Sequence, residues 1–473
     1  MKFFLHCRGR GANLKCGNLV VRRGPLAPVD LAVLAVFVIG VSLRVLLAIV
    51  NADANDSHLP VIRIIAFENR FPEKSEVWEA FQPKLYHATV AMIWKLWPTA
   101  SMWVLTRIAQ AVSCTAGIAT LVVVLVFLRR LSISPRVRFL VFALVALNPE
   151  LIGISAQATN DAFVILFGTL VLYFGFLFFQ DGKRNAFVAL IVAACLAGLS
   201  KGNGLVAIAA VLTAFGVAAL WHSPTYRLTR VQLALHAMIF AVVVLPIVWE
   251  IGPYGMHQRQ YGSALVTNWP SSYVRPGFTS VAQGLLTFRL LDLIQHPFNT
   301  HGMTLYPAHR TSLWSRLYGQ AHFVHFEQWP RSWQSREPAL QDLGRLLLVV
   351  GLLPSALLGW QLWATGVTAA GWLWRKRREG TVLFGPVLLA LAAFGHLAFV
   401  AVYAYLQPDF STMKVIFIFP GLLGFVMLLA SATEDFSGWC SQRPALEPLV
   451  HSVFAVLLLG YVIDVSALIL QLS

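Results

Sequence analysis

The stretch 29–50, VDLAVLAVFVIGVSLRVLLAIV, is the first of many long apolar runs in the chain. A helix needs about 20 apolar residues to cross a bilayer, because every backbone polar group must be paired inside the hydrocarbon. Comparable runs follow at 104–127, 137–150, 160–180, 185–200, 203–221, 231–249, 342–372, 381–405, 415–431 and 449–470. The sequence therefore predicts an all-α, polytopic transmembrane helical bundle of about eleven spans, in which 342–372 is either two segments or one tilted helix.

The composition excludes the soluble classes of protein. Of 473 residues, 58% are hydrophobic and only 12% are charged, whereas a soluble domain carries about a quarter charged residues. The formal net charge of +15 does not predict a nucleic-acid partner in a chain so poor in charge. In a membrane protein, an excess of basic residues can set the orientation of the helices and can bind anionic lipids. The five cysteines have no paired spacing, so neither a zinc site nor a disulfide framework is predicted.

Basic residues indicate which side of the membrane each loop occupies. With the spans above, the short basic loops all fall on one side, which the positive-inside rule makes cytoplasmic. They contain Arg8, Arg10, Lys15, Arg22, Arg23, Arg129, Arg130, Arg136, Arg138, Lys183, Arg184, Arg227, Arg230, Arg375, Lys376, Arg377 and Arg378. The predicted organisation is a basic cytoplasmic N-terminus (1–28), a transmembrane module (29–249) with a first exterior loop (51–103), a second exterior loop region (250–341) and C-terminal transmembrane helices (342–473).

The first exterior loop carries the residues best suited to chemistry. It begins NADANDSHLPVIRIIAFENRFPEKSEVWEAFQPKLYHA, residues 51–88. Asp53 and Asp56 directly follow the first span, so both are predicted at the boundary between water and hydrocarbon. A carboxylate there can accept a proton from a soluble hydroxyl while the other reactant stays in the lipid. The alternative is that both aspartates only solvate the end of a helix.

This loop resembles the first exterior loop of GT-C glycosyltransferases, integral membrane enzymes that use polyprenyl-phosphate sugars. The likeness is to the protein-mannosyltransferase and aminoarabinose-transferase-like group. In that group an acid and a histidine precede a helix ending Gly-Arg-Leu-Pro, and Glu-x-x-Gln-Pro-Pro-Leu-Tyr-Tyr follows. The counterparts here are Asp56-Ser57-His58, Asn69-Arg70-Phe71-Pro72 and Glu79-Ala80-Phe81-Gln82-Pro83-Lys84-Leu85-Tyr86-His87.

The resemblance continues downstream and also shows departures. Similar segments are Leu147-Asn148-Pro149, Ala158-Thr159-Asn160-Asp161-Ala162, Gly198-Leu199-Ser200-Lys201-Gly202-Asn203-Gly204-Leu205, and Lys414 before Phe417-Ile418-Phe419-Pro420. The double acid of the group is absent, Lys84 replaces its second proline, and no second exterior acidic motif is evident. Asn160 and Asp161 can equally be caps of the helix that follows.

The resemblance implies a mechanism and a set of site residues. An exterior aspartate, Asp56 or Asp53, acts as general base on an acceptor hydroxyl, which attacks the anomeric carbon with inversion while the polyprenyl phosphate leaves. Cations near the leaving phosphate stabilise its charge. The implied donor phosphate-binding residues are Lys201, Arg70, Lys84 and Lys414. The implied substrate-binding residues are His58, Glu79, Gln82, Tyr86, His87, Asn160 and Asp161. Arg44, within the first span, is a lesser candidate, and Lys201 can also simply reach the interface.

The second exterior loop cannot be aligned by motif. We expect short interfacial helices there, such as 311–328, that cover the site and select a lipid, glycan or protein acceptor. The spacing His322-x-x-His325 places two imidazoles on one helical face, which a divalent metal would accept. No cysteine or HExxH motif supports such a metal, so no metal ligand is assigned, and a divalent metal stays an open alternative. The sequon Asn55-Asp56-Ser57 would put a glycan beside the base, which favours a bacterial inner membrane over the secretory lumen.

Two other classes of function stay open. A transporter or flippase for a polar lipid would carry ionisable residues in the middle of its spans and repeat symmetry. The spans here are nearly free of internal charge, and no repeat is apparent. A non-catalytic assembly subunit with a GT-C fold fits the missing double acid. The identities of the sugar and the acceptor are not encoded in any motif.

Overall fold

The computed structural model describes residues 13–16, 19–22, 30–52, 57–221, 226–266, 280–298, 311–327, 330–335, 337–375, 384–407 and 412–473. These residues are mainly helical, which confirms the predicted fold class. The helices are α1 Leu31–Val50, α2 His58–Arg63, α3 Leu85–Trp94, α4 Met102–Arg130, α5 Pro135–Ala146, α6 Pro149–Ser155, α7 Asp161–Asp181, α8 Arg184–Ser200, α9 Gly204–Leu220, α10 Arg230–Ile251, α11 Tyr254–Tyr261, α12 Val281–Leu285, α13 Leu290–Gln295, α14 Leu313–His322, α15 Pro338–Val350, α16 Leu352–Arg375, α17 Phe384–Leu406, α18 Leu422–Cys440 and α19 Glu447–Leu472.

Several shorter elements accompany the helices. Three strands, β1 Asn13–Cys16, β2 Leu19–Arg22 and β3 Leu131–Ser132, form a small antiparallel sheet in the order β1-β2-β3. The sheet joins the N-terminal region to the loop after α4 and was not predicted. A π-helical turn covers Ile64–Glu68, and 3₁₀ turns cover Arg331–Trp333, Val415–Phe417 and Phe419–Gly421.

Eight helical segments among the described residues are long and apolar enough to cross a membrane. One of them, Pro338–Gly371, joins most of α15 and α16 into one candidate span. A ninth candidate is the pair α5 and α6, which is bent by 48°. The bend falls at Pro149, which lacks an N–H and starts a new helix capped by the Asn148 side chain, 3.0 Å from Leu151 N. The prediction of eleven spans additionally needs the 17-residue helices α8 and α9 to cross, and it stays a prediction.

Hydrogen bonds and ion pairs join the helix ends that the predicted topology places on the same side. At the predicted cytoplasmic end, Arg138 pairs with Asp30 at 3.5 Å, and Tyr226 donates to the carbonyl of Phe179 at 2.7 Å. At the opposite end, the Trp333 indole N–H donates to Asn51 Oδ1 at 3.1 Å. The sidedness itself remains a prediction from the basic loops.

Arg44 stabilises the crossing of α1 and α5. Its side chain is buried, and Nη1 donates to the carbonyls of Gly40 at 2.9 Å and Ala146 at 2.6 Å. Gly40 permits this approach, because a Cβ there would lie 2.8 Å from the Ala146 carbonyl oxygen. Arg44 therefore pairs Nη1 with backbone carbonyls inside the bundle, and among the described residues its hydrogen bonds do not involve a predicted site residue.

The ends of α7, α8 and the late 3₁₀ turns meet at one place. Gly168 of α7 packs directly on Pro420, since a Cβ on this glycine would lie 2.7 Å from the Pro420 carbonyl oxygen. Helices α7 and α8 pack along each other as an antiparallel pair. The N-terminus of α7 and the C-terminus of α8 are thereby held beside the 412–417 segment.

Candidate active site

Lys201 and Asp161 form a mostly buried ion pair at this meeting point. Lys201 Nζ lies 2.7 Å from Asp161 Oδ1 and 2.8 Å from Oδ2. The side chains are 12% and 4% exposed, so solvent screens this pair only weakly. The Thr159 hydroxyl donates to Asp161 Oδ2 at 3.0 Å and fixes the carboxylate. The Lys201 ammonium also lies 5.6 Å from the centre of the Phe417 ring.

Gln82 and Asn160 connect the first exterior loop to the same place. Asn160 Nδ2 donates to Gln82 Oε1 at 2.7 Å and to the carbonyl of Ser200 at 3.3 Å. Gln82 Nε2 in turn donates to Glu79 Oε2 at 2.5 Å. Asn160 is the N-cap residue of α7 and Asp161 lies in its first turn, but the Asn160 side chain makes no capping hydrogen bond.

Lys84 directs its ammonium back to its own loop. Nζ donates to the carbonyls of Gln82, at 2.7 Å, and Ala80. Burial lowers the pKa of Lys84 to about 8, although the charge of Glu79 opposes this shift. Lys84 is therefore a cation whose charge changes close to neutral pH.

His58, His87 and Tyr86 form a buried aromatic group beneath the loop. His58 Nδ1 and His87 Nε2 share a hydrogen bond of 2.9 Å. Burial, helped by the neighbouring His58, lowers the pKa of His87 well below its usual value, so this ring is neutral at pH 7. The Tyr86 hydroxyl donates to the carbonyl of Ala109 at 3.0 Å, and burial raises the Tyr86 pKa. Through these contacts, the three side chains help to hold the first exterior loop in place.

Among the described residues, Arg70 makes no hydrogen bond or ion pair with Lys201 or Asp161. Its guanidinium is half exposed and pairs with Glu68 at 2.6 Å and with Glu76. The hydrogen bonds from Arg70 lower the pKa of Glu76 to about 2. Asn69 has φ of 57°, a left-handed conformation that favours Gly or Asn. Asn69 stands at the position of the glycine in the Gly-Arg-Leu-Pro motif, and the left-handed conformation gives a physical reason for a glycine there.

Lys414 lies in the 412–417 segment. It precedes the 3₁₀ turn Val415–Phe417 and interacts electrostatically with Glu150 at the start of α6. Glu150 also interacts with Glu327 of the second exterior loop and with Asp161. Glu150 is thus within electrostatic reach of charged residues from three other parts of the chain.

The second exterior loop contributes a buried polar cluster beside Lys414. Arg316, which is fully buried, pairs with Glu327 Oε1 at 2.5 Å, and Gln320 Nε2 donates to the same oxygen. Gln320 Oε1 accepts the backbone N–H of Val415 at 2.7 Å. This cluster is consistent with the expectation that the loop covers the site.

Two details of the second-loop prediction are wrong. The predicted helix 311–328 is the shorter α14, which ends at His322, so His325 does not follow on the same helical face. His322 bonds to Tyr461 and, at 3.0 Å, to Ser355, whereas His325 bonds to Asp464 at 2.7 Å. Within the described ranges, no group of three or more His, Cys, Asp or Glu side chains is arranged to hold a metal ion.

The two predicted bases, Asp53 and Asp56, lie outside the described residues. Shortly before them in the sequence, Asn51 ends α1, and Asn51 is fully buried. Asn51 accepts from Trp333, and its Nδ2 donates to the carbonyl of Ala156 at 3.0 Å. The start of the loop is therefore attached to both the α6–α7 connection and the second exterior loop.

Sequence reasoning missed Glu150, Gln320 and Glu327. Glu150 offers a signal in hindsight, because an acid at the end of a predicted span is costly in the membrane and commonly functional. Gln320 and Glu327 offer none, since they lie in a loop without a recognisable motif. Their proximity to Lys414 depends on tertiary contacts. The hydrogen bonds of Gln320 to Met413 and Val415 span at least 93 positions of sequence.

Comparisons with known proteins agree with the motif analysis. Residues 103–261 match the family model described as dolichyl-phosphate-mannose-protein mannosyltransferase. No curated protein sequence matches the chain. Two similar solved structures are ArnT from Cupriavidus metallidurans in the apo state and the same protein bound to undecaprenyl phosphate. The first is 16% identical and covers 85% of this chain and 78% of that chain, with a TM-score of 0.39. The second is 16% identical and covers 88% and 79%, with a TM-score of 0.35.

The family match extends from α4 to α11 and includes the segments around Asn160-Asp161 and Lys201. It confirms the resemblance to GT-C glycosyltransferases for this part of the chain. The membrane-length helices indicate an integral, multi-pass membrane protein, and residues 103–261 are the part of it that is similar to a glycosyltransferase family.

Proposed function

We propose that this protein transfers a sugar from a polyprenyl-phosphate donor to an acceptor hydroxyl at the exterior face of a bacterial inner membrane. The donor class is supported by the matched mannosyltransferase family, whose description names a dolichyl-phosphate sugar. The reaction is a hexosyl or pentosyl transfer, and the acceptor is a lipid, a glycan or a protein.

One observation carries the proposal: the motifs behind the resemblance converge in space. Gln82 of the first loop, Asn160 and Asp161 at the start of α7, and Lys201 after α8 are joined by direct hydrogen bonds. These contacts cross 78 and 40 positions of sequence. Residues that share a function must lie within reach of a common substrate, and these are close enough to do so.

The chemistry assigns separate tasks to the acids and the cations. Asp56 or Asp53 removes the proton from the acceptor hydroxyl, whose oxygen attacks the anomeric carbon and inverts it. The bond from this carbon to the phosphate oxygen breaks, and the polyprenyl phosphate takes up the electron pair. Lys201 has three donors, of which two face Asp161, so the ammonium retains one donor for a phosphate oxygen. Lys84 and Lys414 add positive charge where the leaving phosphate gains negative charge.

Asp53→Asn and Asp56→Asn test the proposed base. Transfer from a radiolabelled polyprenyl-phosphate sugar is measured with purified full-length protein, and Glu73→Gln serves as a control on an exposed acid of the same loop. We expect one of the two aspartate variants to lose at least about a hundredfold in transfer rate, as the loss of general-base catalysis predicts. The control should keep the parental rate. If both aspartate variants transfer like the parent, neither residue is the base.

A further inference from the structure

Gln320 holds the backbone on both sides of Lys414. Its Oε1 accepts the N–H of Val415 at 2.7 Å, and its Nε2 donates to the carbonyl of Met413 at 3.4 Å. A single carboxamide thus bonds the residue before Lys414 and the residue after it. The Gln320 side chain is only 2% exposed, so water does not compete effectively for these bonds.

The helix that carries Gln320 is itself firmly attached. The Tyr318 hydroxyl donates to the carbonyl of Leu348 at 2.7 Å, and Asn148 Nδ2 donates to the carbonyl of Ala321 at 2.8 Å. Just after α14, Val324 and His325 bond to the fully buried Asp464 of α19. Contacts to three different elements therefore fix α14, which makes it a rigid support for the 412–417 segment.

The Gln320 amide also orients Glu327 of the same loop. Nε2 donates to Glu327 Oε1, the oxygen that pairs with the buried Arg316. Glu150 lies within electrostatic reach of both Glu327 and Lys414. Gln320 is therefore the connection between the buried charges of the second exterior loop and the backbone of Lys414.

We propose that Gln320 is a positioning residue that places the Lys414 ammonium for binding the phosphate of the polyprenyl-phosphate donor. The inference rests on the proposed function. A lysine side chain is long and flexible, so the location of its charge depends on a fixed backbone. Without the amide, the 412–417 segment loses the hydrogen bonds at Met413 and Val415, and the ammonium of Lys414 samples a wider volume.

A double-mutant cycle on phosphate binding tests this role. The dissociation constant of undecaprenyl phosphate alone is measured with full-length protein in detergent for the parent, Gln320→Leu, Lys414→Met and the double variant. Gln258→Leu, on the exposed surface of α11 in the same loop region, is the matched control. Thermal unfolding of each variant is recorded, so that a loss of fold is separated from a loss of binding.

We expect Gln320→Leu to weaken binding about tenfold, which corresponds to the loss of one or two hydrogen bonds. In the Lys414→Met background the same change should have no further effect, because its target is already absent. Equal weakening with and without Lys414 would show a purely structural role and overturn the inference. Lys414→Met with parental affinity would also overturn it, while the proposed donor class could still stand. A parent that does not bind undecaprenyl phosphate would contradict the proposed function itself.

Discussion

Lys84 shows how the environment of one residue can set the pH range of a reaction. Its ammonium is bonded to backbone carbonyls of its own loop, and burial lowers its pKa to about 8. The motif placed a proline at this position and gave no indication of a titrating group. A cation that binds a phosphate must be protonated, so the charge of Lys84 is available below about pH 8 and is lost above it.

We therefore expect donor affinity to decline as pH rises through about 8, and Lys84→Arg to shift this decline to higher pH. Arginine stays charged throughout this range. Unfolding does not explain the expected decline, because a lowered lysine pKa makes the unfolded state bind more protons between about 8 and 10.5, and this group's contribution to stability rises there. The measurement is the donor KM against pH, with Lys74→Arg in the same loop as control. An identical pH profile for Lys84→Arg and the parent would exclude Lys84 from phosphate binding.

The motifs selected single residues but did not indicate which residues pair with each other. Lys201 and Asp161 were both selected from the sequence, but in separate roles. Their ion pair depends on the packing of α7 against α8, which no local pattern encodes. The substrate-binding role expected for Gln82 and Asn160 stays a prediction, and the two side chains bond to each other.

At the scale of elements, a buried pair attaches the second exterior loop to the last helix. Asp464 of α19 accepts from His325 Nδ1 and from the Val324 N–H, both at 2.7 Å. All of these groups are shielded from water, since the side chains of His325 and Asp464 are 0% exposed. The loop segment that carries Glu327 is therefore held by a span that is distant in sequence.

Asp464→Leu should destabilise the protein, because it leaves two buried donors without their acceptor at a cost of about 1–3 kcal/mol each. The double variant Asp464→Leu/His325→Leu should recover part of this loss, since it removes one of those donors and replaces a polar pair with an apolar one. Thermal unfolding in detergent measures both. Asp342→Asn removes an exposed partner of Arg345 and should change stability little. A double variant no more stable than Asp464→Leu would argue against the pair as the source of the effect.

Element boundaries were predictable where backbone chemistry dictates them. Most apolar runs coincide with membrane-length helices, although the run 415–431 begins before the candidate span Phe419–Cys440 and ends well before that span ends. Pro149 explains the bend between α5 and α6. The end of α14 at His322 was missed, because the helical pattern continues beyond it, whereas Val324 and His325 bond to Asp464 of a helix distant in sequence. The small sheet was missed because β3 is a two-residue strand directly after a long helix.

For the whole molecule, the proposed reaction depends on which end of the helical bundle faces the exterior. The first loop and the ends of α7 and α8 form the candidate site, and the basic loops lie at the other helix ends. The charge distribution could be interpreted from sequence alone, since the positive-inside rule depends on local composition rather than on packing. Contacts within each end of the bundle hold the helix ends together, such as Arg136 with Glu447 at the basic end and Gln471 with the carbonyl of Ser332 at the site end. Which end faces the cytoplasm stays a prediction.

Cysteine labelling in intact cells tests this orientation directly. In a background without the native cysteines, Ser75→Cys and Ser441→Cys place one thiol on the first loop and one at the opposite end, both at exposed positions. We expect a membrane-impermeant maleimide to label Ser75→Cys in intact cells and Ser441→Cys only after permeabilisation. The reverse result would put the Lys201–Asp161 pair on the cytoplasmic side. An exterior acceptor would then be out of reach, because a base must lie within hydrogen-bonding distance of the hydroxyl it deprotonates.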